Sequence, residues 1–181
     1  MNSIKQIEVL LADRLVGRLA LTKEGLCAFE YAPDWLGSGF SISPFELPLR
    51  SGVFIAKPRP FEGGFGVFDD CLPDGWGLLI VDRYLQQKGI NPRALTLLDR
   101  LALVGSSGRG ALEFRPDHSV VTRQDYADFE KLALEAERIL GSDEYRGKGI
   151  EEFQDRGGSP GGARPKIFAR YEGKEWLVKF R

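Results

Sequence analysis

Between Pro33 and Pro60 the chain carries Pro33, Pro44, Pro48, Pro58 and Pro60, with Gly37, Gly39 and Gly52 among them. Proline lacks a backbone donor and locks φ, so this stretch excludes a long helix and confines any strand to a sheet edge. What precedes it must fold from short elements. Ile7, Val9 and Leu11 alternate with Glu8 and Leu10, and Val16 to Thr22 and Leu26 to Tyr31 follow the polar breaks at Asp13-Arg14 and Lys23-Glu24-Gly25. Short apolar runs divided by turn residues predict an antiparallel meander. The proline-rich stretch reads as an ordered loop with a strand near Val53 to Ala56.

Helical signals begin beyond the prolines. Leu72-Pro73-Asp74-Gly75 suits a helix entrance, with Asp74 at the positive end of the dipole and Leu78, Val81 and Leu85 along one face. Asn91-Pro92 predicts a second start, with Leu95, Leu98 and Ala102 continuing its apolar stripe to Gly105. Thr122 and Asp125 resemble a capping box for a third helix, in which Tyr126, Phe129, Ala133, Ala136 and Leu140 recur at helical spacing. The charged, glycine-containing segment 142–158 reads as a linker. Beyond it, Lys166 to Tyr171 and Lys174 to Phe180 flank Glu172-Gly173, the pattern of a β-hairpin. The fold class expected is α+β: an antiparallel meander with a three-helix cover over 1–141, then the hairpin.

Charge and residue usage narrow the chemistry. With 25 Lys plus Arg against 26 Asp plus Glu in 181 residues, the net charge of −1 supplies no bulk attraction for nucleic acid. The 43% hydrophobic content supports a buried core. Cys27 and Cys71 make neither a disulfide framework nor a zinc site by spacing, and the lone His118 builds neither a multi-His metal site nor a triad. No stretch approaches the roughly 18 uninterrupted apolar residues of a membrane span. A soluble, cytoplasmic protein is expected.

The most suggestive run is Gly157-Gly158-Ser159-Pro160-Gly161-Gly162-Ala163-Arg164-Pro165-Lys166, with Lys179 following on a predicted strand. Glycines let backbone amides approach phosphate oxygens, and a nearby strand lysine can neutralise their charge. The Walker pattern fails because Ala163 stands where Lys is required. On pattern alone, a glycine-rich linker before a hairpin is the stronger reading, and Lys179 reads as a solvent-facing strand lysine sharing a face with Leu177. Gly105 to Gly110 follows a helix and precedes a strand, the reverse of a dinucleotide site, and reads as a connecting loop. Asp69, Asp70 and Asp74 read as helix-entrance acids more readily than as a cation site. Trp35, Phe61, Phe65 and Trp76 could form a partner surface, although core packing explains most aromatic residues.

The order of segments says more than any one of them. Val16-Gly17-Arg18-Leu19, Phe29-Glu30-Tyr31 with Trp35-Leu36, Ile42-Ser43-Pro44 with Leu47-Pro48-Leu49, Phe68 with Leu72-Pro73-Asp74-Gly75, Gly108 to Phe114, and Ser159 to Lys166 together resemble the N-terminal part of the HipA family of bacterial serine/threonine toxin kinases. The resemblance implies an N-terminal subdomain over 1–141, the linker, and the beginning of a kinase-like N-lobe over 159–181. It implies that Ser159, Gly161, Gly162, Ala163, Lys166 and Lys179 meet ATP phosphates, and that Ser159 is an autophosphorylation site. It implies a helix-turn-helix antitoxin as partner, DNA contacted only through that antitoxin, and a substrate connected with translation, such as an aminoacyl-tRNA synthetase.

Members of that family place the catalytic Asp and the magnesium ligands in a helical C-lobe, and nothing after Lys179 in this sequence matches them. Phosphoryl transfer needs a metal and a residue orienting the nucleophile besides a phosphate cradle. The expectation is that ATP and Mg serve only the full-length kinase, that these residues include no catalytic or metal-ligating group, and that the 181-residue chain alone is inactive. The other reading is a non-catalytic interaction module that binds a kinase core or the antitoxin.

Overall fold

The computed structural model describes residues 3–119, 129–142, 145, 147, 149–157 and 162–180. Its elements run β1 (Gln6–Leu11), β2 (Arg14–Leu21), β3 (Cys27–Tyr31), α1 (Pro33–Ser38), β4 (Val53–Ile55), α2 (Gly66–Asp69), α3 (Gly75–Gln87), α4 (Leu97–Val104), β5 (Leu112–Arg115), α5 (Phe129–Gly141), α6 (Gly149–Gly157), β6 (Lys166–Tyr171) and β7 (Lys174–Lys179). They divide into two units, Met1–Leu72 with Leu95–Ser119, and Pro73–Ala94 with Val120–Arg181. The fold is α+β, with antiparallel sheets, as expected.

In the first unit a five-stranded sheet has the order β4-β3-β2-β1-β5. The turn from β1 to β2 places Ala12 and Asp13 at φ 48° and 61°, the left-handed pair that matches the twist of a two-residue hairpin. Period-2 alternation turns Ile7, Val9, Leu19, Phe29 and Tyr31 inward, and the register shift opposite Val9 and Leu10 brings Val16 with them, into one core with Phe68, Leu98, Leu101 and Phe114. The proline-rich stretch is ordered by the Tyr31 hydroxyl, which donates to the Leu47 carbonyl (2.6 Å) and accepts from the Ile42 amide (3.1 Å). That stretch also holds α1, because Pro33 is tolerated in a first helical turn.

One start signal is corrected. Asn91-Pro92 opens only a 3-10 turn, Pro92–Ala94. The helix itself begins at Leu97, where Thr96 and Asp99 form a reciprocal capping box that satisfies two orphan amides. The third-helix start at Thr122 and Asp125 lies outside the described residues.

The second unit packs Trp76 and Ile80 of α3, Leu132, Ala136 and Ile139 of α5, Ile150 and Phe153 of α6, and Ile167, Ala169 and Phe180 into one cluster. Trp76 and Phe180 both meet the Phe153 ring edge-on, with centroids 5.1 and 5.9 Å apart. The expected apolar faces shift accordingly. On α3 the buried residues are Trp76, Ile80, Arg83 and Leu85, so of the expected face Leu85 is buried while Leu78 is exposed and Val81 only half-buried. On α5 they are Leu132, Glu135, Ala136 and Ile139, while Phe129 and Leu140 are exposed. Segment 142–158, expected to be a linker, contains α6 with Ile150 and Phe153 fully buried. The break between units therefore does not fall there. Trp35, Phe65 and Trp76 are core residues and offer no partner surface.

Candidate functional site

The hairpin β6–β7 brings two cations together. Its turn puts Glu172 and Gly173 at φ 51° and 73°, which sets the register from Tyr171↔Lys174 back to Lys166↔Lys179. By period-2 alternation Ile167 and Ala169 face the core, so Lys166 belongs to the outer face. Lys166 is nevertheless only 3% exposed, because the bend at 162–164 covers it. Its Nζ donates to the Gly162 carbonyl at 3.0 Å. Burial, and next the charge of Lys179, push the Lys166 ammonium below the usual lysine range, while the Asp74 charge opposes them. Lys179 itself is exposed.

Gly162 is held from both sides. Asp74 stands at the N-cap of α3, yet its side chain makes no bond to its own helix. Its carboxylate accepts the Gly162 amide at 3.1 Å instead, and the Trp76 amide donates to the Gly162 carbonyl at 3.1 Å. Gly75 lies between these contacts at φ +46°, and a Cβ there would come within 2.6 Å of the Gly162 carbonyl carbon. Only glycine satisfies both demands.

Of the residues expected to meet phosphate, the structure thus brings together Gly162, Lys166 and Lys179, with Ala163 in the same bend. Ser159 and Gly161 lie outside the described residues. The arrangement suits an anion: a glycine amide already bonded to a carboxylate oxygen, beside a desolvated lysine and a second lysine. Among the described residues no group of three or more His, Cys, Asp and Glu is assembled that could hold a metal ion.

Sequence reasoning assigned Asp74 to the helix dipole and missed its bond to Gly162. Only the oddity of an Asp before a glycine at a helix entrance hinted at it. The other candidates are structural. Gly105 to Gly110 is a connecting loop in which the Asp117 carboxylate accepts the Ser106 and Ser119 amides at 3.0 and 2.8 Å. The His118 amide donates to the Ala102 carbonyl. Burial pushes the Cys27 and Cys71 thiols up to about 11, so neither is a ready nucleophile. No described helix is long and apolar enough to cross a membrane.

An N-terminal antiparallel meander with helices, continuing to a glycine-rich bend and a lysine-bearing hairpin, defines a class of α+β chain. Residues 7–115 match the model of the HipA N-terminal domain, and the chain belongs to that family. Among solved structures it is similar to a chain of the complex of HipA, HipB and operator DNA from the toxin-antitoxin system of Shewanella oneidensis MR-1. The identity is 24% and the TM-score 0.55 over 94% of this chain, a likeness of fold. This chain spans 37% of the length of that one. The resemblance read from the ordered segments therefore holds.

Proposed function

We propose that this chain is the N-terminal part of a HipA-like serine/threonine protein kinase toxin, carrying the N-terminal subdomain and part of the ATP phosphate cradle. The observation that carries the reading is the opposition of Lys166 and Lys179 beneath Gly162. Desolvating one lysine beside another is unfavourable unless an anion comes to share them. The amides of Gly161, Gly162 and Ala163 with both lysines would hold ATP phosphates, and Ser159 would be the autophosphorylated residue. ATP supplies the phosphoryl group; catalytic Asp and magnesium ligands would belong to a helical lobe. A helix-turn-helix antitoxin is the proposed partner, in keeping with the HipB and operator DNA of the Shewanella complex. DNA would be met only through it, the substrate would be connected with translation, and the site of action would be the cytoplasm.

A second reading, favoured by a family match confined to residues 7–115, is a non-catalytic module that binds a kinase core or the antitoxin. Calorimetric ATP titrations separate the two. In the full-length kinase, Lys179→Ala should weaken ATP by about tenfold or more, the loss of one charge-assisted phosphate contact. The isolated 181-residue chain should bind ATP weakly and show no hydrolysis. Equal ATP affinity with and without Lys179 would leave the module reading standing.

A further inference from the structure

The glycine-rich bend is docked on α3 through contacts that use the very groups a phosphate would need. The Gly162 amide goes to the Asp74 carboxylate, and the Gly162 carbonyl takes both the Trp76 amide and Lys166 Nζ. The first of these contacts joins residues 88 positions apart. An Asp at an N-cap normally accepts from its own first turn. Here that capping bond is absent, and Gly75, with no space for a Cβ against Gly162, allows the close approach. Asp74 is thus arranged toward the bend and not toward its own helix.

We propose that Asp74 is a positioning residue that latches the glycine-rich bend to α3, and that its carboxylate competes with phosphate oxygens for the Gly162 amide. This rests on the phosphate reading above and adds to it an internal anion that must leave before an external one can take its place. A carboxylate and a phosphate oxygen are alternative acceptors for one amide. The Asp74 charge also stabilises the Lys166 ammonium, so its departure leaves the lysine pair short of one negative charge. An incoming phosphate restores it. Binding and release of the bend are coupled by this exchange.

The test uses amide NMR on the 181-residue chain at low salt, with inorganic tripolyphosphate as probe. Asp74→Ala removes acceptor and charge; Asp74→Asn keeps an acceptor oxygen and removes the charge alone. Expected are hydrogen exchange at Gly162 about tenfold faster in Asp74→Ala, and tripolyphosphate binding on the order of fivefold tighter in Asp74→Asn than in the unmodified chain. A purely structural acid would not yield tighter binding on substitution. Unchanged Gly162 protection in Asp74→Ala overturns the latch. Tripolyphosphate binding that is no tighter in Asp74→Asn, while the unmodified chain binds it, overturns the competition. If tripolyphosphate moves no amide from Gly162 to Lys166 in any of the three proteins, the phosphate reading falls and the competition with it, while the exchange data still decide the latch.

Discussion

Asp99 shows how one side chain can serve two distant pieces of backbone. Its carboxylate accepts the Ile4 amide at 3.0 Å, the Thr96 amide at 2.9 Å and the Thr96 hydroxyl at 2.7 Å. Burial alone would push its carboxyl up, but the bonds from Ile4 and Thr96, with the charge of His118, bring it below the usual aspartate range. A carboxyl lowered in the folded state adds stability above its unfolded pKa of about 3.9, and that stability is lost as pH falls through the folded value. Asp99→Ala should therefore cost about 2 kcal/mol at pH 7. Urea midpoints of the variant and the unmodified chain should draw together as pH falls below about 3.9 and through the lower folded value. A gap of constant size across that range would show that the charge plays no part. The Thr-Asp spacing of this capping box was readable in the sequence, but Asn91-Pro92 drew the helix start instead, because both patterns are valid caps.

At the scale of elements, periodicity chose the type of structure more reliably than its orientation. The α5 sequence offers two apolar series at helical spacing, one through Phe129, Ala133 and Leu140 and one through Leu132 and Ile139, sharing Ala136. Burial goes to the second because Ile150 and Phe153 of α6 and Trp76 of α3 lie in the same cluster. Arg83 of α3 also donates to the Ile139 carbonyl, a contact no local pattern announces. The start of α3 yields a sharper expectation. Gly75→Ala must adopt a left-handed backbone and push a methyl to 2.6 Å from the Gly162 carbonyl carbon. The variant should lose about 1–3 kcal/mol, measured by urea denaturation, and its Gly162 amide should exchange faster. Preserved stability together with preserved exchange would mean that the bend does not rest on Gly75.

For the whole molecule, the division into units is interleaved in sequence: α3 and the turn after it belong with the C-terminal residues, while α4 and β5 belong with the N-terminal ones. Glycine and charge content marked 142–158 as a junction, yet α6 within it contributes two fully buried side chains. Phe153→Ala removes the ring that both Trp76 and Phe180 meet and should cost about 3–5 kcal/mol. Thermal unfolding followed by tryptophan fluorescence would report it, since Trp76 sits against that ring. A loss below about 1 kcal/mol, the size of a surface substitution, would return the segment to the status of a linker.

Local chemistry in the sequence determined the short strands, both two-residue hairpin turns and the β6–β7 register, since each depends on residues within a few positions of one another. The ordered motifs likewise carried the family. The burial of Lys166, the turning of Asp74 away from its own helix and the addition of β5 beside β1 were decided only in the tertiary structure. Desolvation and hydrogen bonding depend on whichever groups are nearest in space, and for the bond from Gly162 to Asp74 the partner stands 88 residues away along the chain.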